Sequence, residues 1–202
     1  MKHLYVILVA FIFLAGSCAA KKDEPLMTPK LLEGMELRSI GPAYMSGRIA
    51  DIEVDKNDPA TWYVAVGSGG VWKTSNSGIT WTPIFDKQPV YSIGDVTIDP
   101  SNSNVIWVGS GENNGGRHLS FGDGIYKSLD GGKTWENMGL EKSEHLSDII
   151  IHPKDPNTVY VASQGPLWSK GGQRGLFKTT DGGKTWDNIL EISKHTGINE
   201  FV

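Results

Sequence analysis

Hydrophobic and polar residues alternate in short runs over most of the chain between residues 48 and 192. Residues 48–55 (RIADIEVD), 92–100 (SIGDVTIDP) and 146–153 (LSDIIIHP) each alternate and lead into a turn rich in Asp, Asn or Pro. A period of two residues predicts β-strands with one face buried. No stretch of helical length shows the period of about 3.6 residues that an amphipathic helix requires. The pattern therefore predicts an all-β protein.

The same pattern recurs as a larger unit. A second strand follows each of the first strands, a third strand reads GVWKT, GIYKS or GLFKT, and a fourth strand leaves from Trp81, Trp135 or Trp186. These tryptophans are 54 and 51 residues apart. Four short strands in a unit of this length predict one blade of a β-propeller. The predicted blades span residues 46–86, 91–139 and 145–192, and residues 196–202 are predicted to begin a fourth.

The hexapeptide Asp-Gly-Gly-Lys-Thr-Trp occurs twice, at residues 130–135 and 181–186, and a diverged copy occupies residues 74–81. Gly-Lys-Thr also ends a phosphate-binding loop, but the glycine that such a loop needs five residues earlier is replaced by Lys127 and Lys178. An EF-hand calcium loop is excluded because each stretch has a single Asp. Asp followed by two glycines predicts a hairpin turn. The residues predicted to be structural in these turns are Asn76, Trp81, Asp130, Gly132, Trp135, Asp181, Gly183 and Trp186.

The sequence Ser-x-Asp-x-Gly-x-Thr-Trp resembles the Asp-box, or BNR repeat, and residues 128–135 and 179–186 match it closely. This repeat occurs in sialidases, sortilin-like (Vps10) receptors and xyloglucan-degrading glycosidases. The run from residue 39 to Trp186 looks most like the bacterial sortilin- and xyloglucanase-like propellers that are often called glycosyl hydrolases. The resemblance implies the fold more than the function, because many activities use the same scaffold.

The resemblance to xyloglucanases also implies where a catalytic base would lie. In those enzymes the base is an Asp just before the Gly-Gly that opens the third strand of the first blade, and the acid comes from a propeller domain far downstream. The corresponding position here is Gly67, followed by Ser68, and neither residue is a general base. Glu112 and Asp123 flank one loop and are candidates for a replacement carboxylate pair, since glycosidases generally use two carboxyl groups. No other catalytic residue is predicted, and this chain is expected to lack glycosidase activity of its own.

Ligand contacts are predicted on one end of the blades. The Asp-box turns and the Asp-Pro turns share one end, so the longer loops between second and third strands lie at the other, together with the links between blades. The second blade inserts residues 112–123 and the third inserts residues 165–174. Long loops with cationic and aromatic residues on a rigid scaffold are typical of binding sites. The candidate ligand-binding residues are Arg48, Asn113, Arg117, His118, Phe121, Trp168 and Arg174.

Composition restricts the partners. The formal net charge is −4 and the isoelectric point is near 5.7, which argues against nucleic acid as a partner. The histidines at 118, 145 and 195 lack the short fixed spacing of a zinc site, so neither a metal nor a cofactor is expected. We therefore expect a glycan or protein ligand on the loop end. The alternative is that the chain is the N-terminal part of a glycoside hydrolase.

The N-terminus resembles a bacterial lipoprotein signal. An apolar run from Leu4 to Leu14 follows Lys2 and precedes Cys18, the single cysteine of the chain. This run is too short to span a membrane as a helix but suits a signal-peptide core. Residues 1–17 are predicted to be removed and Cys18 to carry lipid. Cleavage at neighbouring Ala-x-Ala-like residues is the alternative.

Residues 18–33 carry prolines and mixed charge and are predicted to be a flexible tether to residues 34–202. The protein is expected at the outer membrane or the cell surface, held in the membrane only by its lipid. Closed propellers generally have four to eight blades, so three blades suggest the N-terminal piece of a longer protein whose remaining blades complete the ring.

Lipid attachment at Cys18 is directly testable. Cells grown with an alkyne-tagged fatty acid are expected to label the wild-type protein and to leave the Cys18→Ala variant unlabelled. Equal labelling of both proteins would show that the cysteine carries no lipid.

Overall fold

The computed structural model describes residues 47–113, 116 and 118–202. In this part of the chain twelve β-strands form three antiparallel sheets of four strands, and no helix is present. Within each sheet every strand is hydrogen-bonded to the strand that follows it along the chain. This meander is the blade of a β-propeller. The predicted all-β fold, an incomplete propeller of three four-stranded blades, is confirmed.

The blades follow one another along the chain. Their fourth strands are short, and in the first two blades they contain only two residues. The strands are β1 (Ile49–Val54), β2 (Trp62–Val66), β3 (Gly70–Thr74) and β4 (Thr82–Pro83) in blade one, β5 (Ile93–Asp99), β6 (Asn102–Ser110), β7 (Ile125–Ser128) and β8 (Glu136–Asn137) in blade two, and β9 (Leu146–Ile151), β10 (Val159–Ser163), β11 (Gly175–Thr179) and β12 (Asp187–Leu190) in blade three.

Several predictions from the sequence fall on residues that the structure does not describe. They are the signal peptide at 1–17, the tether at 18–33 with Cys18, and Arg117 in the loop of blade two. Residues 196–202, predicted to begin a fourth blade, form no strand, and only an isolated bridge joins Ser193 to Thr196.

Two hydrophobic cores fill the spaces between neighbouring blades. Strand β6 contributes to both because successive side chains point to opposite faces of a sheet. Ile106 and Val108 belong to the core shared with blade one, whereas Trp107 belongs to the core shared with blade three. The three side chains are completely buried. The alternation seen in the sequence is therefore the alternation between two interfaces, and at residues 106–108 of β6 both faces of the sheet are covered.

The Asp-box turns are organised by the carboxylate of Asp130 and its counterpart Asp181. Asp130 Oδ1 accepts the backbone N–H of Thr134 at 2.9 Å, and its Oδ2 accepts the Thr134 hydroxyl at 2.6 Å. These hydrogen bonds stabilise the charged form and lower the pKa of Asp130 to about 2. In the diverged copy the Asn76 side chain accepts the backbone N–H of Thr80 in the same way, at 2.9 Å. The amide therefore preserves the geometry of the turn without its charge.

The tryptophans of the second and third boxes join their blades to the preceding ones. Trp135 Nε1 donates to Ile84 O at 2.9 Å, and Trp186 Nε1 donates to Met138 O at 2.8 Å. Each acceptor lies three residues after the preceding blade's own tryptophan, so the contact repeats with the sequence. Because the indole rings also pack into the two cores, each tryptophan buries an apolar surface while its polar atom stays bonded.

Two further links repeat at the blade boundaries. Lys73 Nζ donates to Gly131 O at 3.2 Å, and Lys127 Nζ donates to Gly182 O at 3.0 Å, so a third-strand lysine reaches the next blade's box. Near the propeller axis, Asp51 Oδ2 accepts the backbone N–H of Val96 in the next blade at 3.3 Å. Neighbouring blades are therefore joined by directional bonds at both their outer and their inner edges.

The tryptophan links can be measured by substitution. Trp135→Phe removes the N–H that crosses a blade boundary, and we expect it to lower the free energy of unfolding by about 1 kcal/mol or more, because the ring is partly lost and a carbonyl loses its donor. Trp81→Phe is the matched control, since Trp81 is 37% exposed and has no recorded acceptor among the described residues. Urea unfolding followed by far-ultraviolet circular dichroism gives both values. Equal losses would mean that the cross-blade bond contributes nothing of its own.

Candidate functional site

The loops that join second to third strands lie together at one end of the blades, which we call the loop end. They comprise residues 67–69, the described residues 111–113, 116 and 118–124, and residues 164–174. The first strands of blades two and three begin at the same end. The Asp-box turns lie at the opposite end because strand direction alternates within each blade. The loop end is where most of the candidate ligand-binding residues from the sequence are found.

An ion pair with one buried partner joins the first two blades at the loop end. Arg48 Nε donates to Glu112 Oε1, and the Glu112 side chain is completely buried while that of Arg48 is 52% exposed. Hydrogen bonding to Glu112, helped by its charge, raises the pKa of Arg48. The second oxygen of Glu112, Oε2, is buried and has no hydrogen-bond partner among the described residues.

Gly67 lies directly against this carboxyl group. A Cβ atom built on Gly67 would lie 2.6 Å from the carboxyl carbon of Glu112, far closer than van der Waals contact allows. The Glu112 carboxyl therefore fills the space that a side chain at position 67 would need. That position is where the resemblance to xyloglucanases placed a catalytic base.

Asp123 lies at the other end of the same loop but serves its own blade. Its carboxylate accepts the Tyr126 hydroxyl at 2.9 and 2.8 Å, and burial together with this carboxylate raises the pKa of Tyr126 to about 12 despite an opposing bond from Asn137. No contact between Asp123 and Glu112 is recorded in the described part of the chain. The two carboxyl groups therefore bond to different neighbours.

His145 is buried below Glu112. Its Nδ1 lies 2.9 Å from the backbone oxygen of Glu112, and burial lowers the pKa of the imidazole. A neutral ring whose Nδ1–H donates to this carbonyl fixes the start of the loop. Within residues 47–113, 116 and 118–202 no group of three His, Cys, Asp or Glu side chains is arranged to hold a metal ion.

Carboxylates from three blades surround a small cavity of about 300 Å³ near the axis. Asp51, Asp95 and Asp148 occupy the same position in β1, β5 and β9, and Asn113 and Glu200 also line the cavity. No Lys, Arg or His is among the described residues that line it. We call this space the axial cavity.

Among the aspartates that line the axial cavity, Asp95 has the most strongly raised pKa. Its Oδ2 is buried without a hydrogen-bond partner among the described residues. Burial, then the nearby charges of Asp51 and Asp148, raise the pKa of Asp95 well above its ordinary value of 3.8, and a backbone hydrogen bond from Ile149 opposes this only in part. Burial likewise raises the pKa of Asp148. The cavity is therefore a region of unbalanced negative potential.

The loop of blade three forms an open groove of about 640 Å³ beside the axial cavity. Trp168 projects from this loop and is 78% exposed. Gln164, Lys170, His195 and Asn199 also line the groove, and Asn199 lines the axial cavity as well. The two spaces are therefore adjacent. We call the larger one the Trp168 groove.

Arg174 has a different role from the one that the sequence suggested. It is 7% exposed, and its guanidinium donates to the backbone oxygens of Gln164, Pro166, Ser169 and Gly171. Four of its five N–H groups are occupied in this way. Arg174 therefore fixes the shape of the loop that carries Trp168, and it is a poor candidate for direct ligand contact.

Of the other candidate ligand-binding residues, some are exposed and others already form hydrogen bonds within the protein. His118 and Phe121 are exposed on the loop of blade two. Asn113 lines the axial cavity. Its Nδ2 donates to Ser147 O at 3.3 Å, and its Oδ1 is buried without a partner among the described residues. The Arg48 side chain is about half exposed, and its Nε is bonded to Glu112.

Sequence reasoning missed the aspartates of the axial cavity. They were visible as part of alternating strands, where an Asp precedes Ile or Val at the same place in each of the three units. The available signal was the repetition of Asp at the same position of the first strand in each unit, next to an apolar residue.

Comparison with known proteins gives the same architecture. No family model matches the chain. It is 26% identical over 156 residues to a probable oligoxyloglucan-reducing end-specific xyloglucanase of Neosartorya fischeri, which covers 68% of this chain and 17% of that protein. It is 28% identical over 163 residues to the chloroplastic photosystem II stability/assembly factor HCF136 of rice, covering 72% and 35% respectively. A stretch of 78 residues is 32% identical to the vacuolar protein sorting/targeting protein 10 of Aspergillus clavatus, covering 37% of this chain and 5% of that one.

Solved structures agree. An ancestral GH74 enzyme superposes with a TM-score of 0.58 at 20% identity, covering 76% of this chain and 19% of that chain. The GH74 enzyme of Niastella koreensis gives 0.53 at 28% identity, covering 72% and 21%. YCF48 from Cyanidioschyzon merolae gives 0.51 at 19% identity, covering 75% and 40%.

The chain is thus a repeat-built β-propeller protein. More particularly, it is similar to GH74 xyloglucanases and to Vps10, as its sequence had indicated. It is also similar to the assembly factor HCF136, which the sequence analysis did not name, and it shares the fold of YCF48. It spans between about one twentieth and about one third of the length of these curated relatives. In the described part of the chain no helix is long and apolar enough to cross a membrane.

The charge of the axial cavity predicts an unusual pH dependence. Because the pKa of Asp95 is raised in the folded protein, its contribution to stability is present below its ordinary value of 3.8 and is lost as pH rises through the folded pKa. Asp95→Asn is therefore expected to increase the free energy of unfolding at pH 7, with a smaller increase at pH 4.

Asp130→Asn is the control of opposite sign. Since the pKa of Asp130 is lowered to about 2, its contribution is present above 3.8 and is lost as pH falls through that lower value. This variant is expected to be less stable at pH 7. Denaturant midpoints at the two pH values measure both effects, and a loss of stability in Asp95→Asn at pH 7 would contradict the unbalanced charge.

Proposed function

We propose that the loop end of this propeller binds a glycan, with Trp168 as the surface on which a sugar ring stacks. The observation that carries this proposal is the exposure of Trp168, which is 78% accessible on a loop whose backbone is held by Arg174. Such an exposed indole ring is unusual, because removing this large apolar surface from water is favourable. A partner that covers it gains that energy without first having to order the loop.

The surroundings of Trp168 suit a sugar. The groove places Gln164, Lys170 and Asn199 beside the indole ring, so hydrogen-bond donors and acceptors flank an apolar platform. Sugars present apolar C–H faces and hydroxyl edges, and therefore need both kinds of contact. A few placed polar groups beside an apolar surface are typical of small-molecule sites. Two relatives of the chain are named as xyloglucanases or GH74 enzymes, which supports a carbohydrate as the ligand class.

A second candidate is that the chain supplies part of a glycoside hydrolase site. The observation in its favour is the carboxyl group of Glu112, which is completely buried, has a free oxygen among the described residues, and fills the space beside Gly67. A hydrolase also needs a second carboxyl group about 5 to 10 Å away, and the candidate for it, Asp123, is already hydrogen-bonded to Tyr126. Binding is therefore the function that the geometry supports better. Sugar release from xyloglucan that disappears in Glu112→Gln would reverse this order.

The remaining parts of the proposal concern location and partners. We propose that lipid on Cys18 holds the protein at the outer membrane or the cell surface, where glycans are accessible. Further Asp-box blades are proposed to cover the apolar faces left at blades one and three, on which Ile52 and Leu190 are about half exposed. The bonds between blades are directional, because the box tryptophan of one blade donates to a carbonyl of the preceding blade. Further blades would therefore add in one orientation only.

Binding is tested with immobilised or titrated oligosaccharides. Xyloglucan oligosaccharides, mixed-linkage glucan fragments and sialyllactose are titrated into the purified chain by calorimetry. Trp168→Ala is expected to weaken binding of the preferred glycan about tenfold, which corresponds to about 1.4 kcal/mol, and Trp168→Phe is expected to retain most of it.

Ile79→Ala serves as the matched control. Ile79 is 82% exposed on an Asp-box turn, at the end of the blades opposite Trp168. Loss of binding in this variant, or unchanged binding in Trp168→Ala, would rule out the Trp168 groove as the glycan site.

A further inference from the structure

The walls of the Trp168 groove carry positive charge. Lys170 and Arg174 line it, His195 adds an imidazole, and no Asp or Glu is among the described residues that line it. The side chains of Lys170 and His195 are exposed, so a ligand in the groove can contact both directly. The chain as a whole has a formal net charge of −4. The groove is therefore a local basic surface on an acidic protein.

Arg174 supplies a buried positive charge to the same wall. It is 7% exposed, its guanidinium donates to backbone oxygens, and it forms no salt bridge in the described part of the chain. Carbonyl oxygens satisfy its N–H groups but carry no net charge, so its positive charge is not neutralised. A buried charge without an opposite charge nearby is costly. An anion in the groove would offset this cost through its field, without having to touch Arg174.

The exposed basic side chains are held near one another by the backbone. Gly171 N donates to Lys194 O at 2.9 Å, which joins the segment that carries Lys170 to the segment that carries His195. Ser193 Oγ accepts the backbone N–H of His195 at 3.1 Å and so fixes the second segment as a turn. Lys194 is itself exposed and adds a further charge beside the groove. The basic groups are thus placed before a ligand arrives, which lowers the cost of binding.

The acidic residues of this region lie outside the groove. Glu191 and Glu200 are exposed and close in sequence to the same turn, but neither lines the groove. Asn199 is the described residue common to the groove and the axial cavity, and its amide is neutral. The carboxylates of the axial cavity repel an anion most strongly near Asn199. An anionic group is therefore favoured near Lys170 and Lys194.

From this arrangement we infer that the glycan bound in the Trp168 groove is acidic, and that a sugar ring stacked on Trp168 carries a carboxylate that pairs with Lys170 and His195. The inference rests on the proposed glycan-binding function and adds the chemical class of the ligand. A carboxylate attached to the ring projects from its edge, so the face of the ring remains free to contact the indole. Uronic acids and sialic acids share this chemistry, whereas neutral glucans lack it.

The test uses ligands that share their sugar rings but differ in charge. A galacturonic acid hexamer and its fully methyl-esterified form are titrated into the full chain by calorimetry at pH 7. We expect the acid to bind at least about fivefold more tightly, because each exposed charge pair contributes modestly. The preference is expected to shrink as salt is raised, because the charges are screened. Sialyllactose and lactose form a second matched pair, which distinguishes a sialic acid from a uronic acid as the source of the carboxylate.

Matched variants locate the effect. A double variant, Lys170→Gln with His195→Gln, is expected to reduce the preference for the acid over the ester to about twofold or less, because glutamine keeps hydrogen-bonding capacity but not the charge. Lys170→Arg is expected to retain the preference. Lys184→Gln, which removes an exposed lysine from the Asp-box turn at the opposite end of the same blade, is expected to leave it unchanged. Circular dichroism checks that each variant folds, and Lys170→Gln alone carries the test if the double variant does not.

The outcomes separate this inference from the proposed function. Equal binding of the acid and the ester, lost in Trp168→Ala, would keep the glycan site and overturn the carboxylate. A preference for the acid that survives Trp168→Ala but disappears in the double variant would support the anion site and overturn stacking on Trp168. Equally tight binding of a glutamate hexamer or of a sulfated neutral glycan would show attraction by charge alone and would overturn the assignment to a carboxylated sugar. Absence of binding by every glycan would overturn both proposals.

Discussion

Apolar sheet faces that must be covered by a neighbouring sheet determine most of this structure. A four-stranded blade of about 50 residues is too thin to contain a core of its own, so the cores form between blades. Trp107 illustrates the result: it is completely buried because the neighbouring blade three covers the face of the sheet from which it projects. The polar bonds of Trp135, Trp186 and the third-strand lysines then fix how far one blade is rotated on the next.

The sequence predicted the parts of the fold that depend on local chemistry. Alternation gave the strands, and the repeated Asp-Gly-Gly turn gave the hairpins between third and fourth strands, where Gly131 and Gly132 indeed have positive φ angles of 74° and 89°. In the diverged copy Ser77 takes a φ of 57° at the place of the first glycine. Such a substitution is costly but tolerated in a turn whose other hydrogen bonds are complete.

The candidate site was predicted less well, because its features depend on neighbours that are far apart in sequence. Arg174 looked like a ligand contact because it lies in a long inserted loop, and only the fold shows that four backbone carbonyls surround it. The aspartates at 51, 95 and 148 looked like the polar half of ordinary alternation. Their meaning appears only when three inner strands are placed side by side, since that placement brings like charges together around one cavity.

The contact between Gly67 and Glu112 has a consequence for how the two positions vary. A side chain at 67 and a carboxyl at 112 compete for one volume, because a Cβ on residue 67 would fall 2.6 Å from the Glu112 carboxyl carbon. The two positions lie in different blades and 45 residues apart in the chain. Natural variants should therefore change them together: a larger residue at 67 calls for a smaller one at 112, and Arg48 then loses its anion. An acidic group at this point of the ring can be supplied from either blade, but not from both at once.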